Sequence, residues 1–221
     1  MSQSIRGGSM AMEDLGLTMA ALVTLWVYLP GFLVNTFAMM WGKWFPRTGL
    51  GPWPIDGGRV HPDGNRWLGD GKTWNGLIGG SLTSGVLAVL MVTIIPAGRM
   101  ATPFVDPMSG FDTLIGTLGR GGAAFLVGSL LGFSALIGDA TGSFIKRRRG
   151  LKREGDVSSK APLLDTLPFA LAVFLFGSMV LRQGAWMTSL QGMAIILILT
   201  PILHRGFNLI GYALGWKDVP Y

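Results

Sequence analysis

The chain contains no cysteine. Disulfides, thiol catalysis and any zinc or iron–sulfur centre built on cysteine are therefore excluded. Two histidines are too few for a His-rich metal site, which leaves carboxylates as ligands for a hard cation such as Mg²⁺. Charge is scarce as well. Only 14% of the 221 residues are charged, against about 25% in an ordinary globular domain. Apolar residues reach 49%, accompanied by 34 Gly, 12 Met and 8 Trp. This is the composition of a membrane protein, in which small residues let helices approach closely.

The 18 basic and 12 acidic residues leave a net charge of +6. In a soluble protein that balance would suggest nucleic acid. In a membrane protein it is explained by topology, because Lys and Arg collect on the cytoplasmic side, so no nucleic-acid partner is expected. Residues 1–16 read as a flexible tail, and residues 17–221 as one membrane-embedded domain.

Five apolar runs approach the roughly 20 residues needed to cross hydrocarbon: 17–41, 76–98, 121–141, 162–181 and 187–203, the last extending through Tyr212 if Pro201 is tolerated. The expected fold is an all-α integral membrane protein of about five transmembrane helices. Basic residues concentrate in two polar segments, about 42–75 and 142–161, which hold Lys43, Arg47, Arg59, Arg66 and Lys72, and Lys146 to Arg149, Lys152, Arg153 and Lys160. The opposite side has only Arg6, Arg99, Arg182 and, at a span's edge, Arg120. The positive-inside rule then puts the N-terminus outside and the C-terminus in the cytoplasm. Both polar segments face the cytoplasm, where nucleoside triphosphates are found.

The first polar segment contains GNRWLGDGKTWNG, residues 64–76. It has the Gly-Lys-Thr of a P-loop, but that motif requires a glycine five positions before Gly71, where this chain has Arg66. Lys72 and Thr73 instead stand just before a predicted helix, whose N-terminus can bind phosphate. Asp56, Asp63 and Asp70 recur every seven residues among Arg59, Arg66 and Lys72. Either ligand binding or Asp-Gly turn chemistry can account for that pattern.

In the second segment Asp139, Ser143, Lys146 and Arg147 fall at i, i+4, i+7 and i+8, one face of a helix. An acid followed by a hydroxyl and two cations suits a metal-bound polyphosphate: the carboxylate for Mg²⁺, the cations for phosphate oxygens. An acid inside an apolar run is costly and points to function. Asp165, three residues into the next span, would face the same side and could share the metal. Its structural alternative is a carboxylate favoured by a helix N-terminus. Arg148 and Arg149 are equally well read as a basic anchor for anionic lipid. His204, Asn208 and Tyr212 form a polar stripe on the last helix, for which interhelix hydrogen bonding is the simpler reading. Asn35 is read in the same way, and Gly79, Gly80, Gly128 and Gly132 as close-packing positions.

PIDGGRVHPDGNRWLGDGKTWNG, GDATGSFIKRRRG, LLDTLPF and HRGFNLIGYALGWKDVPY, in that order, resemble the archaeal CDP-archaeol synthases, relatives of the phosphatidate cytidylyltransferases. The resemblance implies a Mg²⁺-dependent reaction of CTP with an ether-linked archaeal lipid phosphate, giving CDP-archaeol and pyrophosphate at the cell membrane. On matching positions it implies substrate-binding roles for Lys43, Asp56, Asp63, Arg66, Asp70, Lys72, Thr73, Ser143, Lys146 and Arg147. It also implies catalytic roles for Lys72, Asp139, Lys146, Arg147 and Asp165, with Asp139 and Asp165 on the metal. The chain departs from the family pattern at Pro168, where a second acid is common, at Gly57 and at Asn75. The same parts would serve a lipid kinase or another lipid-phosphate transferase. A small transporter would instead need ionisable groups near span centres or inverted repeats, and neither is visible.

Overall fold

A long apolar segment in hydrocarbon can satisfy its backbone only within itself, which makes helix the expected form of each run. The computed structural model describes residues 16–151, 162–180 and 190–215. Among them the regular structure is helical, with no strand beyond two isolated bridges. The helices are α1 (Leu17–Val27), α2 (Leu29–Trp44), α3 (Trp74–Ile94), α4 (Asp112–Arg148), α5 (Pro162–Val180) and α6 (Leu190–Ala213). The predicted tail, apart from Gly16, lies outside the described residues, as do positions 152–161 of the second polar segment.

By length and apolar character α3, α4 and the Met193–Ala213 part of α6 can each cross a membrane. The first predicted span is a pair of helices, α1 and α2, bent by 48°. The bend falls where Tyr28 leaves helical geometry and Pro30 enters α2, since a proline has no N–H to give and crowds the preceding turn. The apolar part of α5, Leu163–Met179, is shorter than a full span. α4 runs beyond its predicted apolar run at both ends and breaks helical geometry at Gly119, φ 72°.

Helices adjacent in sequence pack against one another, and small residues set their spacing. A Cβ on Gly128 would come within 2.5 Å of the Ala88 Cβ, and one on Gly142 within 2.6 Å of the Leu164 carbonyl oxygen. α4 therefore touches α3 along its first half and α5 along its second. Leu131, Ala135 and Val173 are buried between these helices.

The antiparallel arrangement brings the end of α2, the start of α3, the end of α4, the start of α5 and the end of α6 to one pole. The connection 95–111 lies at the other. There Asp106, 4% exposed, pairs with Arg120 at 2.9 Å and accepts from the backbone N–H of Gly98 and Met108. Arg120 also donates to the Ile95 carbonyl, and Trp26 donates to that of Val105.

Candidate active site

The glycine-rich loop 49–73 is organised around Asp56. Its carboxylate accepts from Arg66 Nη2 at 2.6 Å and Nε at 3.2 Å, and from the backbone N–H of Gly58, Leu68 and Gly69. Burial works to raise the Asp56 pKa, but Arg66 and the three backbone donors outweigh it and hold the carboxyl well below the usual carboxylate range. The same pair pushes the Arg66 guanidinium above its ordinary value. Arg66 reaches on to Asp70, 2.9 Å away at the surface. The seven-residue recurrence of acids is thus largely a device for holding the loop's shape.

Three side chains fasten this loop to the end of α4. Arg147, 7% exposed, donates through Nε to the Leu68 carbonyl. Its guanidinium lies where a Cβ on Gly69 would be, and Gly69 has φ +84°, so any other residue there strains the backbone and displaces Arg147. Arg148 donates to Asp63 at 2.6 Å and to the carbonyls of Asn65 and Arg66. Arg148 also lies over the Phe144 ring, on which Trp67 stacks at 5.7 Å. The backbone N–H of Asn65 and the guanidinium of Arg148 lower the Asp63 pKa. Arg148, read from sequence as equally suited to anchoring lipid, is committed to the loop; Arg149 is exposed beyond it.

Fixing the loop this way delivers Lys72 to the helices. Thr73, 7% exposed, is the N-cap of α3 and accepts from the Gly76 N–H at 3.1 Å. Lys72, one residue earlier, reaches across to α4 and forms an ion pair with Asp139. A second ion pair joins Lys146, two turns further along α4, to Asp165 on α5. The Lys146 side chain is only 6% exposed and that of Asp139 18%. α6 closes the site from another side: its half-buried His204 lies within electrostatic reach of Asp139.

Of the residues singled out from sequence, Lys72, Asp139, Lys146 and Asp165 meet in two cross-element ion pairs. Arg147 sits beside them but faces the loop. Ser143 is half buried on α4, one turn from Asp139. Lys43 is exposed and reaches the Gly215 carbonyl at the end of α6, at 3.5 Å. His204 was not among the site residues expected from sequence, yet it lies within electrostatic reach of Asp139. The i, i+4, i+8 stripe with Asn208 and Tyr212 was the available signal, and Asn208 is indeed buried.

These elements define a class: a helical protein with helices long and apolar enough to cross a membrane, and with lysines, carboxylates and a capped helix N-terminus gathered at one pole. The family model "CarS-like: CDP-archaeol synthase" matches residues 17–221. The CDP-archaeol synthase of Archaeoglobus fulgidus is 36% identical over 201 residues, 90% of this chain and 97% of its own length. That of Picrophilus torridus is 37% identical over 209 residues, covering 90% and 96%. A solved structure described as "Structural insight into an intramembrane enzyme for archaeal membrane lipids biosynthesis" covers 80% of this chain and 91% of its own, at 26% identity and a TM-score of 0.48. The chain belongs to the CDP-archaeol synthase family.

Proposed function

We propose that this protein is a cytidylyltransferase that moves CMP from CTP onto an archaeal ether-lipid phosphate, the unsaturated archaetidic acid, releasing pyrophosphate and CDP-archaeol. Family membership supports the reaction class. The observation that carries the site is the meeting of Lys72, Asp139, Lys146 and Asp165 from three chain segments at one pole.

The lipid phosphate oxygen attacks the α-phosphorus of CTP, a P–O bond forms, and the bond to the β-phosphate bridging oxygen breaks, its electrons leaving with pyrophosphate. The substrate brings its own nucleophile, so the protein's work is positioning and charge neutralisation. The Lys72 and Lys146 ammoniums face the phosphates, and the N-terminus of α3 presents its positive dipole end beside Lys72. Asp56, Asp63, Arg66, Asp70 and Arg147 act by holding the loop that aims Lys72. Thr73 caps α3, while Ser143 and Lys43 lie at the margin, within reach of a bound substrate's polar groups. Asp139 and Asp165 are the donors that would hold Mg²⁺. Among the described residues no group of three or more His, Cys, Asp or Glu is placed to hold a metal ion. Two carboxylates completed by substrate phosphates and water suit this ion. When bound, Mg²⁺ supplies neutralisation of triphosphate charge.

We place the chain in the cell membrane with five spans, α1 and α2 forming one and α5 another, the N-terminus outside and the charged pole in the cytoplasm. The basic-residue asymmetry and the location of CTP support that orientation. Residues 17–221 form the catalytic domain, and the lipid tails stay in the bilayer while the head group enters the pole.

The test is transfer of label by the purified full chain in detergent with Mg²⁺, the lipid phosphate, and CTP labelled at either the α or the γ position. Label from the α position enters the lipid and is lost with Asp139→Asn. Label from the γ position would make the protein a kinase instead, and neither label would refute the reading.

A further inference from the structure

Both carboxylates offered to a metal are already engaged, each by a lysine from a different segment. The pairs are shielded: the Lys146 side chain is 6% exposed, Asp139 18%, Lys72 25% and Asp165 30%. The two acids and two lysines sum to zero charge. A divalent cation arriving alone would displace two ammoniums from their counter-charges and leave them in a partly buried site with none. A triphosphate arriving with the cation changes that balance, because it carries more negative charge than one divalent ion neutralises. It gives each displaced ammonium a phosphate oxygen in place of its carboxylate. Lysine suits this exchange, as a compact charge on a flexible stem that changes partners without a fixed fork geometry.

We propose that Lys72 and Lys146 are internal counter-cations that occupy Asp139 and Asp165 until a nucleoside triphosphate arrives, so that the site takes its divalent cation together with the nucleotide and not before it. This rests on the nucleotidyl-transfer reading for the identity of the anion, but not for the pairing itself. Lys72 and Lys146 thereby have a second role besides neutralising phosphate: they make metal affinity conditional on nucleotide. The coupling is reciprocal, so metal and nucleotide raise each other's affinity by one common factor.

Mn²⁺ serves as the probe, because free and protein-bound Mn²⁺ are distinguished by electron paramagnetic resonance. The full chain in detergent is titrated with Mn²⁺ alone, as wild type, Lys72→Met, Lys146→Met and Arg149→Met. Arg149→Met removes the same charge from the same pole but from an exposed position outside the ion pairs, and controls for the general field. Lys72→Met and Lys146→Met are each expected to bind Mn²⁺ about fivefold or more tighter than wild type, the lower end of typical site coupling. Arg149→Met should stay within about twofold of wild type. A CTP analogue with a methylene between the α and β phosphates should tighten Mn²⁺ strongly in wild type and less in the lysine variants. Direct metal–phosphate contact alone would tighten Mn²⁺ in wild type, so the lysine variants decide. Lysine variants that bind Mn²⁺ no tighter than wild type, or no tighter than Arg149→Met, would overturn the proposal. Lys72→Gln and Lys146→Gln repeat the test should a methionine variant not fold. If wild type transfers α label but the lysine variants show no gain, the counter-cation proposal fails and the transferase reading stands. If the gain is seen without α-label transfer, the pairing stands and the transferase reading fails.

Discussion

The two poles of the helix bundle each shelter a carboxylate against a cation, and each does so differently. At one pole Asp106 receives two backbone N–H groups as well as Arg120, and Arg120 is itself held by the Ile95 carbonyl. Every one of those partners belongs to the fold, so no ligand can replace them without unfolding the connection 95–111. At the other pole Asp139 and Asp165 are each met by the ammonium of a long, flexible lysine. That pairing satisfies the charge, and in the proposed site it would be exchanged for a metal and a phosphate. The same contrast recurs within the charged pole, where Asp56, saturated by Arg66 and three backbone donors, is a fixture of the loop. Backbone donors thus tie Asp56 and Asp106 into the fold, whereas lysine side chains meet Asp139 and Asp165.

The comparison breaks most visibly if the two acids are neutralised in turn. Asp139→Asn should lower CMP transfer by about 10³-fold at a smaller cost in thermal stability, since it leaves one flexible ammonium and no backbone donor without its carboxylate. Asp106→Asn should leave kcat within about twofold and cost about 3 kcal/mol of stability, because a shielded Arg120 loses its partner. Activity assays and unfolding curves on the two variants side by side decide it; equal effects on both quantities would remove the distinction. Lys72→Met should reduce transfer by about 10²-fold, the scale of losing one donor aimed at developing charge. A loss confined to thermal stability would instead make Lys72 a structural partner like Arg120.

Gly69→Ala probes the loop that carries Lys72. The residue sits at φ +84° with the Arg147 guanidinium where its Cβ would be. A cost of about 1 kcal/mol is expected from the backbone alone. The expected outcome is a roughly tenfold lower kcat/KM with faster proteolytic cleavage between 56 and 72, since a displaced loop misplaces Lys72. The smallest effect concerns pH. The folded Asp56 pKa lies below its unfolded value of about 3.9. Its contribution is therefore fully present at neutral pH and is lost as pH falls below about 4. Hydrogen exchange at the Leu68 and Gly69 N–H groups, corrected for intrinsic rate, should be flat from pH 7 to 5 and rise below about pH 4. Asp56→Asn should show the loosened rate throughout.

Much of the helical layout was legible because hydropathy is a local property: the run 76–98 became Trp74–Ile94, and 162–181 became Pro162–Val180. The extension of α4 to Asp112 and Arg148 was not, since its terminal turns are helical without being apolar. The bend at Tyr28 lay within a run that reads as continuous, although Pro30 marked it. In the site, the spacing of Asp139, Ser143, Lys146 and Arg147 correctly gave one helix face and suggested one shared task. The folded chain divides that face: Asp139 goes to Lys72, Lys146 to Asp165 and Arg147 to the Leu68 carbonyl.

By itself the sequence determined that the chain is helical, that its helices suit a membrane, that cysteine chemistry is absent and that its charges gather in two polar segments. Those follow from composition and from patterns a few residues long. Only the tertiary structure decided which acid meets which base, that Asp56 and Arg148 hold the loop, and that His204 comes near Asp139. Each of those depends on residues far apart in the chain, brought together by glycine-spaced helices whose packing no local pattern specifies.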